Sequence, residues 1–179
     1  MIVACGFDHA GVPLRERLLG VIADAGHEIL DLGTDRTDPI DYPDKALEVG
    51  RAVVSGQADR GILVCGSGAG VSVAAGKIHG VFASTIHDTY TAHQGVEHDG
   101  MNVLCMGARV IGAELAAEIL QAFLRAEVSD EERHVRRRAK VLEIERTGGV
   151  EGSRTAGIVG ERTAGMAGER TGGEERSGS

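Results

Sequence analysis

The chain reads as an α/β protein: a three-layer α/β/α, Rossmann-like fold around a five-stranded parallel sheet, followed by a disordered C-terminal tail. Three observations predict it. Short aliphatic runs alternate with helical patterns, which is how a parallel sheet with crossover helices appears in sequence. A glycine-rich stretch, "CGSGAGVSVAAGK" from Cys65 to Lys77, links one such run to the next helix. After Glu145 periodicity gives way to an eight-residue repeat rich in Gly, Arg and Glu.

Taken in order, "MIVACGF" is a buried strand, and "VPLRERLLGVIADAG" a helix with Leu14, Leu18, Ile22 and Ala25 on one face. Pro13 suits its first turn and Gly26 its stop. "HEILDLG" is the second strand, "TDRTDPIDYP" a polar loop, and a helix runs from about Pro43 to Ser55. "RGILVC" is the third strand, and the glycine loop leads into a helix around Val71 to Lys77. "VFASTI", the helix "DTYTAHQGVE" and the strand "NVLCMG" follow. "AELAAEILQAFLRAE" is a helix with Leu115, Ile119 and Phe123 in register. "SDEERHVRRRAKVLEIE" opens with Ser129 and, three residues on, Glu132, a capping-box pattern. Domain organisation is therefore one domain over 1–145 and a tail over 146–179. The tail repeats begin at Arg146, Arg154, Arg162 and Arg170, and without an apolar pattern they cannot offset the entropy of ordering.

Composition narrows the function. The 179 residues are 42% hydrophobic, enough for a core, with no Trp, so aliphatic side chains and Ala do most of the packing. A formal charge of −8 argues against general nucleic-acid binding, which depends on excess Lys and Arg. No apolar run approaches the roughly 20 residues needed to span a bilayer, and the N-terminus reads as a strand and not a leader. Three scattered cysteines (Cys5, Cys65, Cys105) suit a reducing cytoplasm. No C-x-x-C or H-E-x-x-H spacing is present, so a structural or catalytic zinc site is not expected; no cofactor is expected either.

The glycine loop bares backbone N–H groups where an anion can sit, whether a nucleotide phosphate, a dinucleotide or a reaction intermediate. It fails the Walker pattern, because Gly70 and Gly76 enclose five residues and Ile78 replaces the hydroxyl. It also fails the dinucleotide fingerprint, where Val71 or Val73 falls at the third glycine. A smaller anion held on backbone amides remains.

The loop is similar to the Cys-Gly-Thr/Ser-Gly-x-Gly-x-Ser-x-Ala-Ala-x-Lys loop of the type B ribose-5-phosphate isomerases, grouped with galactose-6-phosphate and allose-6-phosphate isomerases. "DHAG" (Asp8 to Gly11), "DYPD" (Asp41 to Asp44), "EH" with "NVL" (Glu97 to Leu104), "GARVIG" and "RHVRR" (Arg133 to Arg137) match in the same order, over about residues 1 to 143. The resemblance implies an aldose–ketose isomerase, with ribose 5-phosphate and ribulose 5-phosphate as the first pair to consider. It implies Cys65 as the base and backbone N–H groups of Ser67, Gly68, Ala69 and Gly70, beside Gly66, as the oxyanion hole. Ser67 adds a hydroxyl. His98 with Asp8 would open the furanose ring. His9, Arg109, Arg133 and Arg137 would hold the phosphate, and Tyr42 would line the sugar pocket. The resemblance also implies a homodimer or tetramer, with the site between subunits.

Three positions depart from the family pattern. Gly76 replaces an Asn, at a cost of about 1 kcal/mol within a helix. Phe82 replaces an Arg, and Asp99 puts a carboxylate where an amide would meet the sugar. They leave open another aldose phosphate of four or six carbons, or a phosphosugar-binding protein without turnover. A flavodoxin-like nucleotide binder is a more distant reading. Read from the residues alone, Cys5 and Cys105 are core thiols, and His27, His79, His87 and His93 solvated surface.

Overall fold

The computed structural model describes residues 1–149, so the repeat segment from 150 onward lies outside the described residues. The elements are β1 (Ile2–Phe7), α1 (Val12–Asp24), β2 (Glu28–Asp31), α2 (Tyr42–Val54), β3 (Arg60–Cys65), α3 (Ala69–Ala75), β4 (Ala83–Thr85), α4 (Thr89–Asp99), β5 (Val103–Gly107), α5 (Ala113–Arg125) and α6 (Glu132–Thr147). Residues Met1–Arg138 form one compact unit; the described part of a second, from Ala139, carries the last turns of α6. No helix among the described residues is long and apolar enough to cross a membrane.

All strand pairs are parallel and the order is β2-β1-β3-β5-β4. β1, β3 and β5 are nearly wholly buried, which is why they read as unbroken aliphatic runs. One apolar cluster joins that sheet to α1, α4 and α5 through Leu18, Ile22, Val96, Ile119 and Phe123. The other joins the opposite face to α2 and α3 through Ala46, Val49, Val71 and Ala75. Each change of direction along the sheet is matched by a change of face, as right-handed crossovers require. Between β1 and β3 the chain turns in opposite senses, and there the carboxyl ends of the strands open a crevice.

Several local expectations are corrected. On α5 Leu115 points outward, and the buried stripe is Ala116, Ile119, Leu120, Phe123 and Leu124, a wider face than the one inferred. On α1 Leu14, Leu18 and Ile22 are buried and Ala25 is exposed past the helix end. The capping box at Ser129 does not form. α6 starts at Glu132, and Ser129 Oγ instead accepts from Glu131 N at 3.2 Å and pairs with His134 Nδ1 at 2.9 Å. α3 begins two residues early and ends at Ala75. Gly76 is therefore its C-cap, so the helix-interior penalty does not apply there. α4 runs on to Asp99 because Gly100 (φ 72) supplies the left-handed cap that closes it, so His98 is a helical residue and not a loop residue.

Candidate active site

The crevice between β1 and β3 holds a cavity of about 400 Å³ lined by Asp8, His9, Ala10, Tyr42, Cys65, Gly66, Ser67, Gly70, Arg109 and Val110. Eight of the fourteen residues singled out from sequence converge there. Three strand ends bring most of them there, with Asp8 just past β1, Cys65 as the last residue of β3 and Arg109 just past β5, while Tyr42 opens α2 and Gly70 lies in the first turn of α3.

Asp8 is almost fully buried, and its Oδ1 accepts from the amides of Ala10 (2.8 Å) and Gly11 (2.9 Å). This leaves Oδ2 as the oxygen for a ligand. His9 Nδ1 accepts from Ile40 N at 3.3 Å, which makes Nε2 the protonated nitrogen of the neutral ring and hence a donor. The Tyr42 ring covers Gly70 so closely that a Cβ there would lie 2.9 Å from Cζ. Arg109 lies along Gly66, its backbone N–H donating to Gly66 O at 3.0 Å. Ala108 N donates to Cys65 O at 2.9 Å, so the loop after β5 is laced to the loop after β3.

Cys65 is 5% exposed, and its Sγ accepts a hydrogen bond from Gly68 N at 3.1 Å. The thiol therefore meets the cavity wall with its sulfur fixed by a backbone amide at the end of β3. Gly68 stands at φ +81, a left-handed conformation that aims its N–H back at the strand end. A Cβ on Gly68 would lie 2.8 Å from Thr85 Cγ2 and 3.0 Å from the Met106 carbonyl carbon. Two of the four loop amides are thus engaged internally: Gly68 with Cys65, and Ala69 with Ser67 Oγ at 3.3 Å. Neither Gly68 nor Ala69 lines the cavity of this chain, whereas Ser67 and Gly70 do.

The other two cysteines behave as core thiols. Burial, with Asp31 nearby, pushes Cys5 up to about 12, and burial pushes Cys105 up to about 12.

His98, Asp99, Arg133 and Arg137 do not line this cavity. They sit around the end of α4 and the start of α6. His98 lies 3.7 Å from Glu97 and stacks on His134, ring centroids 4.0 Å apart. Arg133 and Arg137 are exposed, and Arg133 Nε donates to Glu131 at 2.7 Å. His134 was not singled out as a site residue, although it lies inside the quoted "RHVRR". It is 1% exposed, and burial, with His98 and Arg133 beside it, lowers its basicity. Arg138 was also missed. It donates to His98 O (3.2 Å) and Ser129 O (2.8 Å), joining α4 to α6. His87, expected as solvated surface, is half-buried and accepts from Gly107 N at 3.0 Å. No one-dimensional signal marks His87, because the contact joins residues twenty apart.

A carboxylate, a thiol with an amide on its sulfur, and an arginine with a histidine donor line one crevice at the carboxyl ends of a parallel sheet. These groups suit proton transfer on a small anionic substrate. The chain belongs to the Ribose/Galactose Isomerase family, whose profile matches residues 3–141. It is 40% identical over 125 residues to ribose-5-phosphate isomerase B of Escherichia coli, covering 70% of this chain and 84% of that protein. It is 39% identical over 127 residues to D-erythrulose-4-phosphate isomerase of Pectobacterium atrosepticum, covering 70% and 83%. The structure of Clostridium thermocellum ribose-5-phosphate isomerase B superimposes with a TM-score of 0.79 at 39% identity, covering 82% of this chain and 99% of that one. The protein is accordingly an aldose–ketose isomerase acting on a phosphosugar.

Proposed function

We propose that the protein interconverts ribose 5-phosphate and ribulose 5-phosphate through an enediolate, with Cys65 as the base. The observation that carries this reading is the Cys65 thiol on the cavity wall, its Sγ fixed by the Gly68 N–H at 3.1 Å in the same crevice as Asp8, His9 and Arg109. Asp8 and His98 open the furanose ring. Cys65 takes the C2 proton of the open aldose and returns it to C1, so no proton is gained or lost overall. Ser67 and Gly70 amides meet the enediolate oxygens as they gain charge. The phosphate lies against His9, Arg109, Arg133 and Arg137.

His98, Arg133 and Arg137 stand outside the cavity of their own chain, which supports a homodimer in which a second copy supplies them. The reading places the enzyme in the cytoplasm, with residues 1–145 as the isomerase domain and the repeats as an appendage.

A second reading is a four-carbon substrate, favoured by the near-equal identity to the ribose and erythrulose phosphate isomerases. The test is turnover of ribose 5-phosphate, erythrulose 4-phosphate and galactose 6-phosphate by the purified protein, alongside Cys65→Ala. The highest kcat/KM on ribose 5-phosphate, abolished in the variant, is the expected result. A higher value on erythrulose 4-phosphate replaces the substrate, and an active Cys65→Ala removes the base.

A further inference from the structure

We propose that Thr85, at the end of the edge strand β4, is a positioning residue for Cys65. The proposal rests on the reading of Cys65 as the base. Thr85 Oγ1 donates to Gly68 O at 3.0 Å. The same oxygen accepts from Ser72 N at 3.1 Å, the first hydrogen bond of α3. Gly68 is therefore held on both sides of its Cα: its N–H lies on Cys65 Sγ, and its carbonyl is shared between α3 and Thr85.

The Thr85 methyl also fills the space beside Gly68 Cα, 2.8 Å from where a Cβ would stand. Rotation of the Gly68 peptide units away from the left-handed region would lose the hydroxyl bond and alter this contact together. Glycine takes up this conformation without strain and could leave it as readily, so these contacts are what hold Gly68 in it here.

The route from β4 to a loop beyond β3 crosses the end of β5, where the residue is Gly107. A Cβ on Gly107 would lie 2.6 Å from the Ser67 carbonyl carbon, so any side chain there would push the loop off the sheet. Gly107 N is itself satisfied from the β4 side by His87 Nε2. Thr85 and His87 thus form a wall behind the glycine loop. Neither lines the cavity, so Thr85 acts through Gly68 and not on the substrate.

The experiment compares Thr85→Val, which keeps the shape and removes the hydroxyl, with Thr85→Ser, which keeps the hydroxyl. Two readouts are used at a temperature where circular dichroism shows both folded: steady-state turnover of ribose 5-phosphate, and the rate at which iodoacetamide alkylates Cys65 at pH 7. Thr85→Val is expected to lower kcat about tenfold with KM changed less than about twofold, the size of one lost hydrogen bond acting on the chemical step. Its Cys65 alkylation is expected to slow several-fold, and Thr85→Ser is expected to restore both. A Val variant with unchanged kcat and alkylation, or a Ser variant as impaired as Val, overturns the proposal. Should Thr85→Val not fold, Thr85→Ala and Thr85→Ser make the same comparison. Alkylation needs no turnover, so an active Cys65→Ala would remove the base reading while the alkylation rates still decide the positioning role.

Discussion

The imidazole of His134 lies stacked on that of His98, centroids 4.0 Å apart and planes 29° apart, and is held from behind by Ser129 Oγ at 2.9 Å. The pair joins the last turn of α4 to the first turn of α6, with Arg138 bonded to the His98 carbonyl beside it. His98 thus has a fixed ring plane in a cluster that includes Glu97, Glu131, Arg133 and Arg137.

Stability should fall in mildly acidic solution for this reason. Burial, His98 and Arg133 depress the His134 pKa below its unfolded value of about 6.5. The unfolded chain then binds more protons than the folded one through this range. The contribution is complete above the unfolded pKa and lost as pH falls through the folded one. Melting temperature measured from pH 7.5 to 5 should decline, and less steeply in His134→Phe. Parallel curves would mean His134 is not the titrating group.

Thiol chemistry should be confined to one residue. Cys5 and Cys105 are both pushed up to about 12, so few thiolates form on them at pH 8. Iodoacetamide should place one label per native chain, on Cys65, and ribose 5-phosphate should slow it. A label on Cys105 before Cys65, found by peptide mass mapping, would contradict this.

Gly68→Ala tests the left-handed turn. Leaving glycine at φ +81 costs roughly 1–2 kcal/mol before any clash, and the new methyl must also displace Thr85 or the β5 backbone. We expect denaturant unfolding to show a loss of about 2 kcal/mol or more, and turnover to fall over a hundredfold as the amide leaves Cys65 Sγ. A variant of normal stability and activity would show that the loop tolerates another conformation.

The proposal that two copies share each site has a direct assay. Cys65→Ala and His98→Ala should each be inactive, yet unfolding and refolding them together should restore about a quarter of wild-type activity. Half the dimers would then be mixed, each with one intact site of two. No recovery, with mixed dimers demonstrated by mass, would place both residues in one chain's site.

The repeats should be dispensable. A chain ending at Gly149 keeps all of α6 and is expected to match the full protein in melting temperature and kcat. A clear drop in either would give the repeat segment a role.

Much of this was legible in one dimension. β1, β3 and β5 are buried on both faces, so their aliphatic runs could hardly be anything else. Pro13 and Gly26 bracket α1 as local rules require. Local rules failed where a group found another partner, as His87 did in Gly107, twenty residues on. Ser129 was offered to a capping box and instead bonds His134, while α4 extended to Asp99 because Gly100 could close it.

Residue order alone determined the strand–helix alternation and the small-residue loop after Cys65, because both follow from patterns a few residues long. Only the tertiary structure decided which loop amides bond within the chain. Gly68 faces sulfur because Thr85 and Gly107, brought from two other strands, leave its backbone one place to lie. The same holds for the separation of His98 and the α6 arginines from the cavity. That separation depends on where α4 and α6 pack, which long-range contacts decide and no short stretch of chain encodes.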